Sequence, residues 1–501
     1  MASRDPEDTT TTPLLAPGRA DRRGSFHNDD TCNVLSFSPS GDPDNPREWP
    51  ESFKWGIVVL LASMAFTVTF TCISIAPIAN RVVGDLDGDN GTHPASVFLI
   101  TIWELGEAAG PLLIGPLSEM YGRLPLITIT NMLFILGTVL AALSQNTTQL
   151  ITARALTGMS VSSNVLNPPI VGDMFAPERR GKAMSMFMFA TLAGGTLGPA
   201  FSGAVAQRLG WRTVLWTSTL LAGLCQTPFW MFFQETYKVT ILRKRLAGHT
   251  KDAKNARADD ASLGKGGYLD NGSDSLWTSI RRPAMVLFGS GILMALSLFG
   301  SVVFTYFYIV SVTLPGILQH VYGLSEAMTG YAFLANGVGS SIGIFICNRY
   351  LDTIYINFSA ANNGTKLPEY RLPMAIAGAL TLPPAVAFYG WCAEYQLPLP
   401  LLLLSVVWIR TSLMLGFLPL MAYVVDACGL YSASAVTGII VTRCLAGAFL
   451  PLMTVVMIEG LGYGLGFTLL GAGCLPLALI PVLILRYGSR WRQHSMYTRT
   501  A

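Results

Sequence analysis

Two carboxylates raise the first chemical question. Glu104 and Glu107 stand three residues apart in Trp103-Glu104-Leu105-Gly106-Glu107-Ala108-Ala109-Gly110-Pro111, within an apolar run long enough to cross a membrane. At that spacing they share one face of a helix. Two ionised acids so close in hydrocarbon repel each other, so the pair is expected to share a proton, and a proton-coupled carrier needs that chemistry. The plainer alternative gives one glutamate a hydrogen bond to a neighbouring helix and sends the other to the headgroups. Arg154 lies about five residues into another apolar run, where a buried guanidinium needs a carboxylate or several carbonyls. Glu104 or Glu107 is the expected partner, and snorkelling to the surface is the competing reading.

Arg410 lies about 18 Å along its run, near mid-bilayer and beyond easy snorkelling. It must meet an acid across the bundle, or face an aqueous cavity where it could attract an anionic substrate. Phe304-Thr305-Tyr306-Phe307-Tyr308 forms an aromatic run suited to the wall of a cavity for an amphipathic ligand. Tyr306, Tyr308, Trp103, Asn336 and Arg410 are the expected lining residues. The eight cysteines are scattered with no C-x-x-C pair, and the five histidines fall in tails or loops. Neither a metal site nor a cofactor is expected. No nucleophile-base pair or phosphate loop suggests an enzyme.

The elements that carry these residues are membrane helices. Of the 501 residues, 51% are hydrophobic and 13% charged, far more apolar surface than a soluble core requires. Twelve apolar runs recur, at about 55–79, 95–117, 124–143, 149–172, 183–206, 212–233, 284–312, 328–347, 372–391, 398–424, 433–457 and 463–486. The expected organisation is a disordered cytosolic tail over 1–53, a six-helix half over 54–233, a cytosolic linker over 234–283, a second six-helix half over 284–486 and a cytosolic tail over 487–501.

The two tails with Lys54 and Arg486 at their edges, the linker and the turns at 118–123, 173–182 and 348–371 hold twenty-seven of the thirty-three Lys and Arg residues. That bias places both termini in the cytosol. Glycosylation sequons at Asn90 and Asn146 then fall in outer turns.

One short stretch carries the strongest resemblance. Gly115-Pro116-Leu117-Ser118-Glu119-Met120-Tyr121-Gly122-Arg123 is similar to the G-x-L-x-D-R-x-G-R-[KR] signature of the major facilitator superfamily, with Glu119 where Asp is usual. Physically, Ser118 and Glu119 could accept hydrogen bonds from the amides that open the next helix, and Gly122 tolerates positive φ. Asp42-Pro43-Asp44-Asn45-Pro46-Arg47-Glu48-Trp49, the E-L-G-x-A-x-G-P string around Glu107, Pro368-Glu369-Tyr370-Arg371-Leu372-Pro373 and Tyr423-Val424-Val425-Asp426-Ala427 resemble the fungal drug:proton antiporter branch with twelve spans. Gly194-Gly195-Thr196-Leu197-Gly198-Pro199-Ala200-Phe201-Ser202-Gly203 resembles the branch's G-x-x-x-G-P-x-x-G-G antiporter motif, with Ser202 replacing a glycine. Gly194, Gly198, Pro199 and Gly203 are its matching positions.

The resemblance implies an all-α membrane protein of two six-helix halves, export rather than import, proton coupling through Arg154, and gating through Glu119, Gly122, Arg123, Asp173 and Arg179. Contacts of Glu119 and Arg123 with helix ends across the half-to-half interface are expected to hold the outward-open state. The expected function is proton-coupled efflux of amphipathic small organic molecules, from a monomer in the plasma membrane with no nucleic-acid partner. A dedicated exporter of an organic acid and a non-transporting sensor are the alternatives.

Overall fold

The computed structural model describes residues 42–88, 93–245, 272–362, 364–365 and 367–498. Asn90 and most of the 234–283 linker lie outside the described residues. Among those described, nine helices are long and apolar enough to cross a membrane. The last of them, Ser432–Arg492, is two crossings joined at Gly462, whose φ of 77° turns the chain without a loop. Two further crossings complete twelve. The fourth is broken at Ser160–Ser162 into Thr147–Met159 and Ser163–Met174, and the sixth, Trp211–Phe232, is diluted by its Ser, Thr and Gln residues.

The other crossings are Glu51–Ser74, His93–Tyr121, Arg123–Ala142, Pro177–Leu209, Gly291–Gly316, Leu334–Ala361, Leu372–Glu394 and Leu399–Cys428. Two boundaries differ most from the hydropathy runs. The seventh crossing starts at Gly291, because Gly289 and Ser290 separate it from the preceding helix Gly272–Phe288. The eighth continues through Asn348, Arg349 and Asp352 to Ala361, since no Gly or Pro interrupts its polar end. Those three residues therefore lie on a helix, not in a turn.

Within the first half, the first crossing packs on the fifth and sixth, and the second on the fourth. In the other half, the eighth and ninth pack on the tenth, and the ninth also packs on the last long helix. Small residues permit the closest approaches. A Cβ on Gly158 would strike the Trp103 carbonyl oxygen, and one on Gly106 would strike that of Ala155. The halves meet along two seams: the second crossing on the eleventh, and the fifth on the eighth and on Glu326–Ala332.

Candidate functional site

Mid-membrane, the second crossing turns its acids toward the other half. Glu104 is 1% exposed, and its Oε1 accepts a 2.5 Å hydrogen bond from the Tyr308 hydroxyl of the seventh crossing. Its Oε2 is buried without a hydrogen-bond partner. One helical turn away, Glu107 pairs with Arg443 of the eleventh crossing, whose Nη2 lies 3.2 Å from Oε1. The spacing that puts both acids on one face thus delivers each to a different helix of the opposite half.

Arg443 stacks over the Phe304 ring at 4.1 Å and also donates toward the Cys444 sulfur. Ligand atoms of Glu104, Glu107 and Cys444 lie within 4.8 Å of one another. The guanidinium already supplies this cluster's positive charge.

Arg154 departs from its expected partners. It pairs with neither glutamate. Its Nε donates to the Leu99 carbonyl, Nη1 to that of Thr71 and Nη2 to that of Cys72, while its guanidinium lies 5.2 Å from the Trp103 ring centroid. Arg154 sits behind the second crossing, so it meets the backbones of the first and second crossings while the glutamates point to the other half. Three carbonyls and a ring face solvate the cation.

The aromatic candidates divide by helix phase. Phe304, Phe307 and Tyr308 form one contiguous ring cluster, whereas Tyr306 donates to the Leu470 carbonyl inside its own half. Residues two apart on a helix point about 200° apart. Trp103 is enclosed against Phe134 and Arg154 within the first half, away from Tyr308. Among the described residues Arg410 meets no acid; its Nε donates to Ser340 Oγ at 3.2 Å and its guanidinium lies 4.2 Å from the Phe307 centroid.

The 115–125 turn also departs from expectation. Arg123 donates to Ser118 Oγ, lies 3.6 Å from Asp173 and stacks on Tyr237 just after the sixth crossing, so none of these partners belongs to the other half. Glu119 is exposed, one residue beyond the inward-facing Ser118, and among the described residues it bridges nothing across the halves. Burial pushes the Tyr237 phenol up, with the nearby Glu119 charge adding to the shift. The amides that open the third crossing are capped by neither Ser118 nor Glu119.

Glu235, just after the sixth crossing, accepts from Arg123 N at 2.9 Å and Leu124 N at 3.2 Å. Gly122, at φ 101°, has no Cβ to block that carboxylate. Arg179 pairs with Glu51 on the surface, while Arg180 donates to the Phe175 and Gly172 carbonyls and finishes the fourth crossing.

The second half repeats the device with different residues. Arg371, opening the ninth crossing, bonds Asp426 at the end of the tenth at 2.5 Å, as Arg123 approaches Asp173 at the end of the fourth. Buried Glu369 pairs with Arg492 at the end of the last long helix at 2.8 Å.

The glycine motif works on two surfaces. A Cβ on Gly194 or Gly198 would strike the backbone of Phe66 or Phe70 on the first crossing, and one on Gly203 would strike Glu326 of the other half. Beside that contact, Arg81 pairs with Glu326 at 2.9 Å and Gln319 donates to the Pro77 carbonyl. The Pro199 carbonyl borders Gly330 on the same seam. Asn146 is exposed and caps the next helix through Gln149 N.

A family model described as Major Facilitator Superfamily matches residues 55–451. The chain belongs to the major facilitator superfamily. Its relatives include the MFS transporter cpaT of Aspergillus oryzae, 32% identical with 91% of each chain covered. The efflux pump radE of Floropilus chiversii is 31% identical over 93% of this chain and 86% of its own. A crystallised D-xylose-proton symporter shares the fold at a TM-score of 0.62 and 16% identity, covering 86% of this chain and 97% of its own. This superfamily member is thus a multi-pass membrane protein from a family of small-molecule transporters. Its two seams and the Glu104–Tyr308 bond lie at the junction of superfamily halves. Sequence reasoning missed Glu235, which had no motif around it, and did not pair Glu107 with Arg443.

Proposed function

We propose that the protein exports amphipathic organic molecules in exchange for inward-moving protons, by alternating access between its halves. The observation that carries this reading is Glu104, a buried carboxyl joined to the opposite half by Tyr308 while its second oxygen has no partner. Glu107 is already neutralised by Arg443, so Glu104 is the acid free to load and unload. Any separation of the halves along this seam breaks the Tyr308 bond and opens Glu104 to a new environment.

Arg154 acts as a positioning residue, tying the first crossing to the second behind the acids. The clamps around Arg123 and Arg371 hold each half as a unit. Export is supported by the antiporter-like glycine motif and the efflux-pump relatives, while the Lys and Arg bias supports cytosolic termini.

Purified protein in inside-out vesicles tests the reading with a panel of fluorescent amphipathic dyes. An acid-interior gradient should drive at least one dye inward several-fold over protein-free vesicles, and a protonophore should abolish the difference. Binding of dyes with no gradient-driven movement would favour a sensor and overturn the carrier reading.

A further inference from the structure

The crossings hold more buried cations than acids. Among the described residues deep in the crossings, three arginines, Arg154, Arg410 and Arg443, outnumber two acids, Glu104 and Glu107; carbonyls solvate Arg154, and Glu107 pairs with Arg443. Arg410 is different. Its side chain is buried, with the residue 6% exposed, yet among the described residues it meets only Ser340 and the Phe307 ring, and its Nη1 has no hydrogen-bond partner. A ring face and one hydroxyl do not offset the desolvation of a guanidinium at mid-membrane.

The neighbouring amide is also unsatisfied. Asn336 is 4% exposed, and both Oδ1 and Nδ2 lack partners. It stands one turn before Ser340 on the same face of the eighth crossing, where Gly339 admits the tenth so closely that an added Cβ would strike Arg410 Cβ. Helical side chains lean toward the N-terminus, so Arg410 leans along this parallel pair toward the Asn336 level. Phe307 packs edge-on against Tyr308, which bonds Glu104 across the halves. The unsatisfied groups therefore belong to the interface at which the halves part.

We propose that Arg410, Ser340 and Asn336, with the Phe307 ring as one wall, form a subsite for the ionised acid group of an organic substrate carried next to a flat apolar body. The guanidinium supplies the charge, the serine and amide supply hydrogen bonds, and the Phe304–Tyr308 rings take the apolar part. The subsite rests on the carrier reading and names its substrate class, organic acids in their anionic form. It leaves Glu104 to the proton.

The test measures binding apart from transport. Full-length protein in zwitterionic lipid nanodiscs is titrated with 1-naphthoate and coumarin-3-carboxylate, each beside its neutral amide. Each carboxylate should bind roughly tenfold more tightly than its amide. Arg410→Gln should remove that preference while leaving amide binding within twofold, and Arg410→Lys should keep most of it, which guards against a folding artefact. Asn336→Leu should weaken the carboxylates severalfold. Equal binding of carboxylate and amide by the unaltered protein, or equal loss of both in Arg410→Gln, overturns the subsite.

The two readings fail separately. Carboxylate preference without gradient-driven flux leaves the subsite and removes the carrier, whereas flux of neutral compounds without that preference does the reverse.

Discussion

Glu104→Gln is expected to abolish gradient-driven transport, by about a hundredfold or more, while exchange of substrate for substrate across vesicles without a gradient stays within a few-fold of normal. Glutamine keeps an oxygen for the Tyr308 hydroxyl and nearly the same volume, so the seam between halves should survive. What it removes is the exchangeable proton. Tyr308→Phe should behave differently, keeping coupling but shifting the pH at which transport is half-maximal, because the acid loses a donor to its ionised form. Measuring both activities in the same vesicles separates coupling from folding. A glutamine variant that still concentrates substrate on a pH gradient would move the proton site elsewhere.

Breaking the Glu107–Arg443 pair should give a large loss of stability. Removing one member strands the other, at about 3–5 kcal/mol for a buried pair. The two single variants should respond to pH in opposite ways. Arg443→Gln leaves Glu107 without its cation, one turn from Glu104, and acidification should restore stability by neutralising a carboxylate. Glu107→Gln leaves a buried guanidinium that acid cannot neutralise, so lowering the pH should not help. The double variant Glu107→Gln/Arg443→Leu should be more stable than either single variant. Thermal denaturation in detergent at pH 5 and pH 8 reads all three, and acid rescue of Glu107→Gln would refute the assignment.

Features that depend on local pattern were legible in the sequence. Twelve crossings followed from apolar runs, and the shared face of Glu104 and Glu107 followed from their spacing. Arg410 stood out because a cation at that depth is costly wherever the neighbours lie. Features set by the rotation of one helix against another were not legible. Arg154 and Glu107 occupy crossings that pack together, yet they point away from each other, and sequence gives no rotation. Tyr306 and Tyr308 looked equivalent until their helix was placed, after which one faced the other half and the other faced its own.

Capping at long range was equally hidden. Glu235 serves amides at Arg123 and Leu124, more than a hundred residues earlier, and nothing near Glu235 marks it. Glu119, in a recognisable motif, proved to be exposed because it lies one residue past the inward face.

The contact between Gly203 and Gly330 has a mechanical consequence. Their Cα atoms pack so that a Cβ built on Gly203 lies 3.2 Å from Gly330 Cα, with the Glu326 carbonyl closer still. This is backbone against backbone, with no side chain to swing aside. A single methyl group on either glycine would act as a wedge, holding the seam ajar at the end that Arg81 and Glu326 close. Since a bias of about 3 kcal/mol shifts a two-state balance more than a hundredfold, an alanine there would trap the molecule facing one side of the membrane with every charge intact.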